Sequence, residues 1–139
     1  MISILIPTRN RASYLGACIA SALAQTERRI EVLVSDNCSS DDTASVVEGF
    51  SDARLAYHRH GTDLGMTGNW NFCLSQAKGD LILLLSDDDL LEPDAVRLLA
   101  RAMEDPEVAF SYGSVVFIDG EGRELGRSGK SPGREGGSS

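Results

Sequence analysis

Three consecutive carboxylates, Asp87, Asp88 and Asp89, follow an uninterrupted apolar run at residues 81–85, with a single serine between them. Such a run favours a strand that is buried on both faces, as in parallel sheets. In open α/β sheets, ligands bind outside the carboxyl ends of the strands, which is where these side chains would lie. Adjacent carboxylates repel one another unless a cation approaches, and clustered oxygen ligands suit Mg²⁺ or Mn²⁺. The cluster therefore indicates a divalent-cation site, although an acidic first turn of the next helix would explain it equally well.

The elements that would position this cluster alternate between strand and helix. Apolar, β-branched segments predict strands, and apolar residues at helical spacing predict the helices between them. The predicted strands are residues 2–6, 30–35, 54–59, 81–85, 108–112 and 115–118, and the predicted helices are residues 12–25 and 67–77, with two more around Val46 and Leu99. Helices of this length between strands imply parallel pairing through right-handed crossovers. The predicted fold is α/β, an open, mostly parallel, three-layer sheet of the Rossmann-like kind.

Polar residues follow three of the predicted strands. If these strands are parallel, all three groups lie at the same edge of the sheet. The turn at residues 7–11 carries Arg9 and Arg11, which suit phosphate, and Asp36 follows the second strand with a carboxylate for a base or ribose. The acidic cluster follows the fourth strand. Each group alone is also typical of helix caps and turns, but together they predict a site for a metal ion and a nucleotide diphosphate.

Composition restricts the partners of this chain. It has 139 residues and a formal net charge of −8, which argues against binding to a nucleic-acid backbone. No apolar stretch is long enough to cross a membrane. The three cysteines, Cys18, Cys38 and Cys73, match the spacing of neither a disulfide framework nor a zinc site. These features predict a cytoplasmic protein without a membrane segment.

Four segments, in order along the chain, resemble glycosyltransferase family 2. They are residues 4–11 (ILIPTRNR), 34–43 (VSDNCSSDDT), 64–71 (LGMTGNWN) and 85–93 (LSDDDLLEP). The resemblance implies a GT-A fold, a nucleotide-sugar donor that is usually a UDP-sugar, a divalent cation (Mn²⁺ or Mg²⁺), and inversion at the anomeric carbon. The alternative interpretations are a nucleotide-sugar-binding module without catalytic activity and a truncated, inactive glycosyltransferase.

The resemblance also implies roles for individual residues. Those expected to line or approach the nucleotide pocket are Pro7, Thr8, Arg9, Asp36, Gly65, Asn69 and Asp87, with Asp36 hydrogen-bonded to the base. The acidic cluster occupies the family's DXD position, and counting back from Pro93 makes Asp88, together with Asp89, the candidate metal ligand. Literal spacing pairs Asp87 with Asp89 instead, because Ser86 stands at the usual first acidic position. The sequence leaves this choice open.

We expect residues 1–119 to form the donor-binding domain, incomplete at its C-terminus, and residues 120–139 to form a flexible tail rich in Gly, Ser and Arg. Seven of the last twenty residues are glycine, and such a segment buries too little apolar surface to offset its ordering. Family members continue further, and the continuation supplies the acceptor pocket and the catalytic base. The chain is therefore expected to be the donor half of a glycosyltransferase, with an unknown base and acceptor. The exposed edge of its last strand predicts a possible homo-oligomer.

Overall fold

The computed structural model describes residues 1–105 and, as backbone, residues 111–112, 115–118, 124–128 and 133–134. The chain forms two compact units, Met1–Pro93 and Asp94–Ser139. No helix among the described residues is both long enough and apolar enough to span a membrane.

The first unit is a parallel sheet with helices between its strands, as the sequence predicts. Its elements are β1 (Ile2–Thr8), α1 (Ala12–Leu23), β2 (Ile30–Asp36), α2 (Thr43–Glu48), β3 (Leu55–Arg59), α3 (Gly65–Gln76) and β4 (Leu81–Leu84). The strand order is β3-β2-β1-β4, and every pair is parallel. The α/β, mostly parallel fold is therefore confirmed.

The core lies on both faces of the two central strands. Ile4, Leu5 and Ile6 of β1 are fully buried although consecutive side chains point to opposite faces, so both faces of β1 are covered. On one face, Leu5 packs with Leu33 of β2 and Cys73 of α3. Each fully buried aliphatic side chain of this kind stabilises the fold by roughly 1.5–3 kcal/mol.

Strand register brings the predicted site residues together. Thr8 pairs with Asp36 across β1 and β2, and Asp36 pairs with Arg59 across β2 and β3. Leu5 of β1 pairs with Leu84 of β4. Three residues after each of them, Thr8 and Asp87 lie side by side and are hydrogen-bonded. The polar ends of β1, β2 and β4 therefore open on one edge, as expected from parallel strands.

The prediction that the apolar run at residues 81–85 is buried on both faces is wrong. Ile82 and Leu84 are 47% and 43% exposed, whereas Leu85, just beyond the strand, is buried. Within the described part of the chain, β4 pairs with β1 alone and lies at the edge of the sheet. A run of apolar residues predicts a strand without charged side chains, but it does not indicate whether one or both faces of that strand are buried.

The second unit contains α4 (Ala95–Ala102), β5 (Ser111–Tyr112), β6 (Val115–Ile118), β7 (Glu124–Ser128) and β8 (Gly133–Arg134). Strand β6 pairs with β7, and β5 with β8, both antiparallel. The predicted strand at residues 115–118 matches β6, and residues 108–110 of the other predicted strand lie outside the described residues. Strands β7 and β8 fall within the segment predicted to be a flexible tail. Although this segment has few apolar side chains, β7 is hydrogen-bonded to β6 and β8 to β5. The remainder of that segment lies outside the described residues.

Candidate functional site

A polar cavity of about 390 Å³ lies at the carboxyl edge of the sheet, within the size range of small-molecule sites. The ends of β1 and β2, the loop before α3, the first turns of α3 and the acidic cluster contribute its lining: Pro7, Thr8, Arg9, Arg11, Asn37, Asp63, Gly65, Met66, Asn69, Trp70 and Asp87. Six of the residues predicted to approach the nucleotide therefore meet here, and Asp36, Asp88 and Asp89 are not among the lining residues.

A hydrogen bond joins the first strand to the acidic cluster. Thr8 Oγ1 donates to Asp87 Oδ2 at 2.8 Å. Burial raises the pKa of Asp87, and the neighbouring charge of Asp88 adds to this, although the Thr8 hydrogen bond and the Arg11 charge act in the opposite direction. The carboxylate is thus held in place where its negative charge is poorly compensated.

Asp88 and Asp89 complete the cluster on its outer side. Asp88 Oδ2 lies 3.3 Å from Arg11 Nη1, and both side chains are about half exposed. Burial raises the pKa of Asp89, with further contributions from the charges of Asp88 and Asp87. Two of the three carboxylates therefore favour the arrival of a positive charge.

The donor set agrees only in part with a metal site. Among the described residues, no three His, Cys, Asp or Glu side chains converge to hold an ion by themselves. However, Mg²⁺ is commonly bound through one or two carboxylates, with substrate phosphates and water completing its coordination. The cluster fits a cation shared with a diphosphate and does not fit a dedicated protein cage.

The backbone that precedes the cluster is anchored to α1. The thiol of Cys18 donates to the carbonyl oxygen of Ser86 at 3.4 Å. Burial raises the pKa of Cys18 to about 12, and the carboxylate charges of Asp87, Asp89 and Asp88 contribute. This cysteine is therefore a protonated packing residue, as its place on the apolar face of the predicted helix indicates.

Asp36 lies in the protein interior, and both of its carboxylate oxygens have partners. Oδ1 accepts the backbone N–H of Ser39 at 3.0 Å, and Oδ2 accepts the hydroxyl of Tyr57 at 2.5 Å. Burial raises the pKa of Tyr57, and the hydrogen bond to Asp36 raises it further. Asp36 thus connects the loop after β2 to β3, and its contact with a base stays a prediction.

Asn69 lines the cavity, and both its amide nitrogen and its amide oxygen have a partner in the protein. Its Nδ2 donates to the Ser35 carbonyl oxygen at 3.1 Å, and its Oδ1 accepts the Ser35 hydroxyl at 2.5 Å. The same hydroxyl lies 2.8 Å from His60 Nε2. Because Ser35 is the last residue but one of β2, these contacts fix α3 against the carboxyl end of that strand and so position the cavity wall.

The sequence interpretation missed Asn37, Asp63, Met66 and Trp70 as lining residues. Asp63 Oδ1 accepts N–H groups of Asn37 and Gly65, both at 2.8 Å, and Oδ2 lies 2.7 Å from Arg9 Nη1. The sheet topology could have indicated them, because the loop before α3 follows the carboxyl end of β3 and so lies at the same edge of the sheet. Periodicity alone does not indicate which residue of such a loop turns inward.

Comparison with known proteins decides the family. The family model described as Glycosyl transferase family 2 matches residues 3–137. The chain belongs to this family. It is 32% identical over 112 residues to the UDP-Glc:alpha-D-GlcNAc-diphosphoundecaprenol beta-1,3-glucosyltransferase WfaP of Escherichia coli, covering 81% of this chain and 45% of that protein. It is 39% identical over 103 residues to the GalNAc(5)-diNAcBac-PP-undecaprenol beta-1,3-glucosyltransferase of Campylobacter jejuni, covering 72% of this chain and 33% of that protein.

Solved glycosyltransferase structures share the fold. The complex of S. aureus TarS 1-349 with UDP-GlcNAc superposes with a TM-score of 0.69 at 27% identity, covering 75% of this chain and 31% of that 1-349 chain. The mannosyltransferase PcManGT from Pyrobaculum calidifontis, in complex with GDP-Man and Mn²⁺, superposes with a TM-score of 0.67 at 27% identity. The match covers 85% of this chain and 35% of that chain. The chain thus spans less than half the length of these relatives, and the predicted GT-A type of fold is confirmed.

Proposed function

We propose that this chain supplies the donor-binding part of an inverting glycosyltransferase that moves a sugar from a UDP-sugar to an acceptor hydroxyl. The observation that carries the proposal is the cavity in which the Thr8–Asp87 hydrogen bond joins the turn after β1 to the acidic cluster. Family membership supplies the reaction class. A polar cleft at the carboxyl ends of parallel strands is where such folds bind nucleotides.

The donor is proposed from the names of similar proteins. WfaP is named for UDP-Glc, and TarS is in complex with UDP and with UDP-GlcNAc. PcManGT, in contrast, is in complex with GDP-Man. We assign a uridine donor to this chain because more of the relatives named here carry one.

Within the site, each group has a separate task in this proposal. The guanidinium groups of Arg9 and Arg11 bind diphosphate oxygens, and Thr8 fixes the orientation of Asp87. Asp88 and Asp89, with Asp87, would hold a divalent cation, which neutralises charge on the departing diphosphate when bound. Pro7, Gly65 and Asn69 line the wall, while Asp36 supports it through its hydrogen bonds to Ser39 and Tyr57. The catalytic base is expected C-terminal to the donor site, and none of the described residues is assigned this role.

A thermal-stabilisation screen tests the proposal. The protein is heated with UDP-, GDP- and CDP-sugars, each with and without Mn²⁺. A ligand that binds only the folded state raises the free energy of unfolding, by about 2.7 kcal/mol at a ligand concentration of 100 times Kd. The midpoint temperature of unfolding rises as a result. We expect UDP-sugars with Mn²⁺ to give the largest shift. Stabilisation by GDP-sugars alone would contradict the uridine assignment, and no shift with any nucleotide sugar would contradict donor binding itself.

A further inference from the structure

The acidic cluster belongs to a segment without regular secondary structure. Strand β4 ends at Leu84 and α4 begins at Ala95, and residues 85–94 between them form neither helix nor strand. Within the segment, the Asp89 N–H donates to the Ser86 carbonyl oxygen at 3.0 Å. Side chains on irregular segments are placed less precisely than those on helices or strands. The position of the cluster therefore depends on contacts between this segment and other elements.

The backbone after the cluster is tied to the C-terminal end of α1. Ser21, in the last turn of that helix, accepts the Leu91 N–H on its Oγ at 3.0 Å. Gln25, two residues beyond the helix, donates from Nε2 to the Glu92 carbonyl oxygen at 2.7 Å. Two neighbouring residues of the segment are thus held by side chains that lie 70 and 67 residues earlier in the chain.

Gln25 is buried to an unusual extent for its residue type. Its exposed fraction is 1%, whereas glutamine is mostly found at protein surfaces. Both Nε2 hydrogens are used, one on the Glu92 carbonyl oxygen and one on the Ser21 carbonyl oxygen at 3.1 Å. Because both bonds leave from one nitrogen, they fix the Glu92 carbonyl relative to the last turn of α1. An apolar side chain at this position would leave that carbonyl without its donor.

The backbone before the cluster is tied to the same helix, because the Cys18 thiol donates to the Ser86 carbonyl oxygen at 3.4 Å. Cys18 and Ser21 lie about one turn apart on α1. The three carboxylates are therefore located between two attachments to one helix. The attachment at Cys18 is the weaker one, because a thiol is a weak donor.

We propose that Gln25, together with Ser21, is a positioning residue for cation binding at the acidic cluster. Its amide holds the backbone of the segment, through the Glu92 carbonyl oxygen, so that the carboxylates keep the spacing that binds a divalent cation together with a diphosphate. Gln25 is not among the residues that line the cavity, so it acts through the segment and not on the ligand. The inference rests on the proposed function, because it presupposes a cation at this cluster.

Calorimetric titration with UDP, with and without Mn²⁺, tests this role on the wild type and on Gln25→Met. The ratio of the dissociation constants without and with the ion measures how much the cation strengthens nucleotide binding. Methionine has about the length of glutamine but no N–H donor. Groups that orient metal ligands typically contribute about 10–100-fold in metal affinity. We expect Gln25→Met to lower the ratio at least about tenfold and to leave the metal-free dissociation constant unchanged.

Ser21→Ala and Ser21→Thr form a second, matched pair. Alanine removes the hydroxyl that accepts the Leu91 N–H, and threonine keeps it. We expect the ratio to fall in Ser21→Ala and to stay near the wild-type value in Ser21→Thr. Val47→Ala is the control for stability, because it truncates a buried side chain of α2 that is not part of the cavity wall. It should lower the midpoint of unfolding without changing the ratio.

The outcomes separate this inference from the proposed function. If Mn²⁺ strengthens UDP binding equally in the wild type and in Gln25→Met, Gln25 serves stability alone and the inference is wrong, while donor binding stands. The inference is also wrong if Val47→Ala lowers the ratio as much as Gln25→Met does. Should Gln25→Met not fold, equal ratios in the two Ser21 variants would overturn it. A wild type that binds UDP equally well without the ion would contradict both the cation role of the cluster and this inference, and a wild type that binds no UDP would contradict donor binding itself.

Discussion

At the residue scale, the acidic cluster is arranged at a cost in electrostatic free energy. Burial and neighbouring carboxylates raise the pKa values of Asp87 and Asp89. Thr8 and Arg11 offset only part of this through one hydrogen bond and one half-exposed ion pair. Carboxylates whose ionised form is disfavoured by burial and by like charges are candidates for binding a cation. This is the role that we propose for the cluster.

The first prediction is that UDP binding requires Mn²⁺ or Mg²⁺ and that Asp88→Asn weakens it. Removing a ligand carboxylate should cost at least about tenfold in affinity when the ion and the diphosphate bind together. Calorimetry with and without the metal measures the effect.

Asp41→Asn is the matched control for this prediction. Asp41 accepts backbone N–H groups of Ala12 and Thr43, which is a capping role away from the cavity wall. UDP affinity that is independent of metal, or equal losses in the two variants, would contradict the metal assignment.

At the scale of elements, short-range polar contacts set the positions of β2, β3 and α3. Ser35 and Asn69 join β2 to α3, and Asp36 and Tyr57 join β2 to β3. Arg54, just before β3, donates to the Leu23 carbonyl oxygen at the end of α1. The cavity wall is therefore held by buried hydrogen bonds as well as by apolar packing.

The second prediction concerns the Asp52–Arg54 pair. Hydrogen bonds from Arg54 lower the pKa of Asp52 to about 2. The unfolded value is about 3.9, so the ionised form stabilises the fold above about pH 4, and this contribution is lost as the pH falls through about 2. Asp52→Asn should therefore lower the unfolding midpoint at pH 7, and the difference from the wild type should shrink as the pH falls from about 4 to about 2. Thermal denaturation across this pH range measures both, and a difference that is constant with pH would contradict the ion-pair explanation.

The third prediction tests the close approach at the turn before β4. A Cβ at Gly79 would lie 2.7 Å from the Met1 carbonyl oxygen and 2.8 Å from the Ser3 nitrogen, both backbone atoms. Gly79→Ala should therefore displace β4 from β1 and destabilise the protein by about 1–3 kcal/mol. Gly61→Ala is the control, because nothing lies within 4 Å of a Cβ at that position. Equal denaturant midpoints for the two variants would show that the turn relaxes without cost.

The sequence predicts these elements unequally well, for physical reasons. Most residues of β1 and β2 are apolar, and each of these strands has a neighbouring strand on both sides, so their pattern and their environment agree. Ile82 and Leu84 are as apolar, but a strand with one described neighbour leaves their face exposed. Asp36 was placed correctly at a strand end, yet whether its carboxylate turns toward the cavity or toward Tyr57 depends on a contact with β3 that no local pattern encodes.

At the scale of the whole molecule, the cavity is contained in the Met1–Pro93 unit, since every residue that lines it belongs to that unit. Nucleotide binding is thus expected from this unit's own residues. The fourth prediction follows: Arg9→Ala should lower UDP affinity about 10- to 150-fold, because one charge-assisted contact contributes about 1.5–3 kcal/mol. Calorimetric titration with UDP measures this, and Arg97→Ala, a basic residue outside that unit, is the control. A larger loss in the control would move the phosphate site away from the cavity.

The fifth prediction is that this 139-residue chain binds a UDP-sugar but transfers the sugar to no acceptor at a useful rate. Binding needs the cavity alone, whereas transfer also needs a base and an oriented acceptor, and no described residue is assigned either role. General-base assistance typically contributes about 10²–10⁴ in rate, and orientation of the acceptor contributes further. Incubation with labelled UDP-sugars and a panel of acceptors is the measurement, with Asp88→Asn defining the background and sedimentation testing for the expected homo-oligomer. Acceptor-dependent transfer well above that background by the monomer would show that these residues contain a base, and Asp63 and Asp89 would then be the first carboxylates to replace.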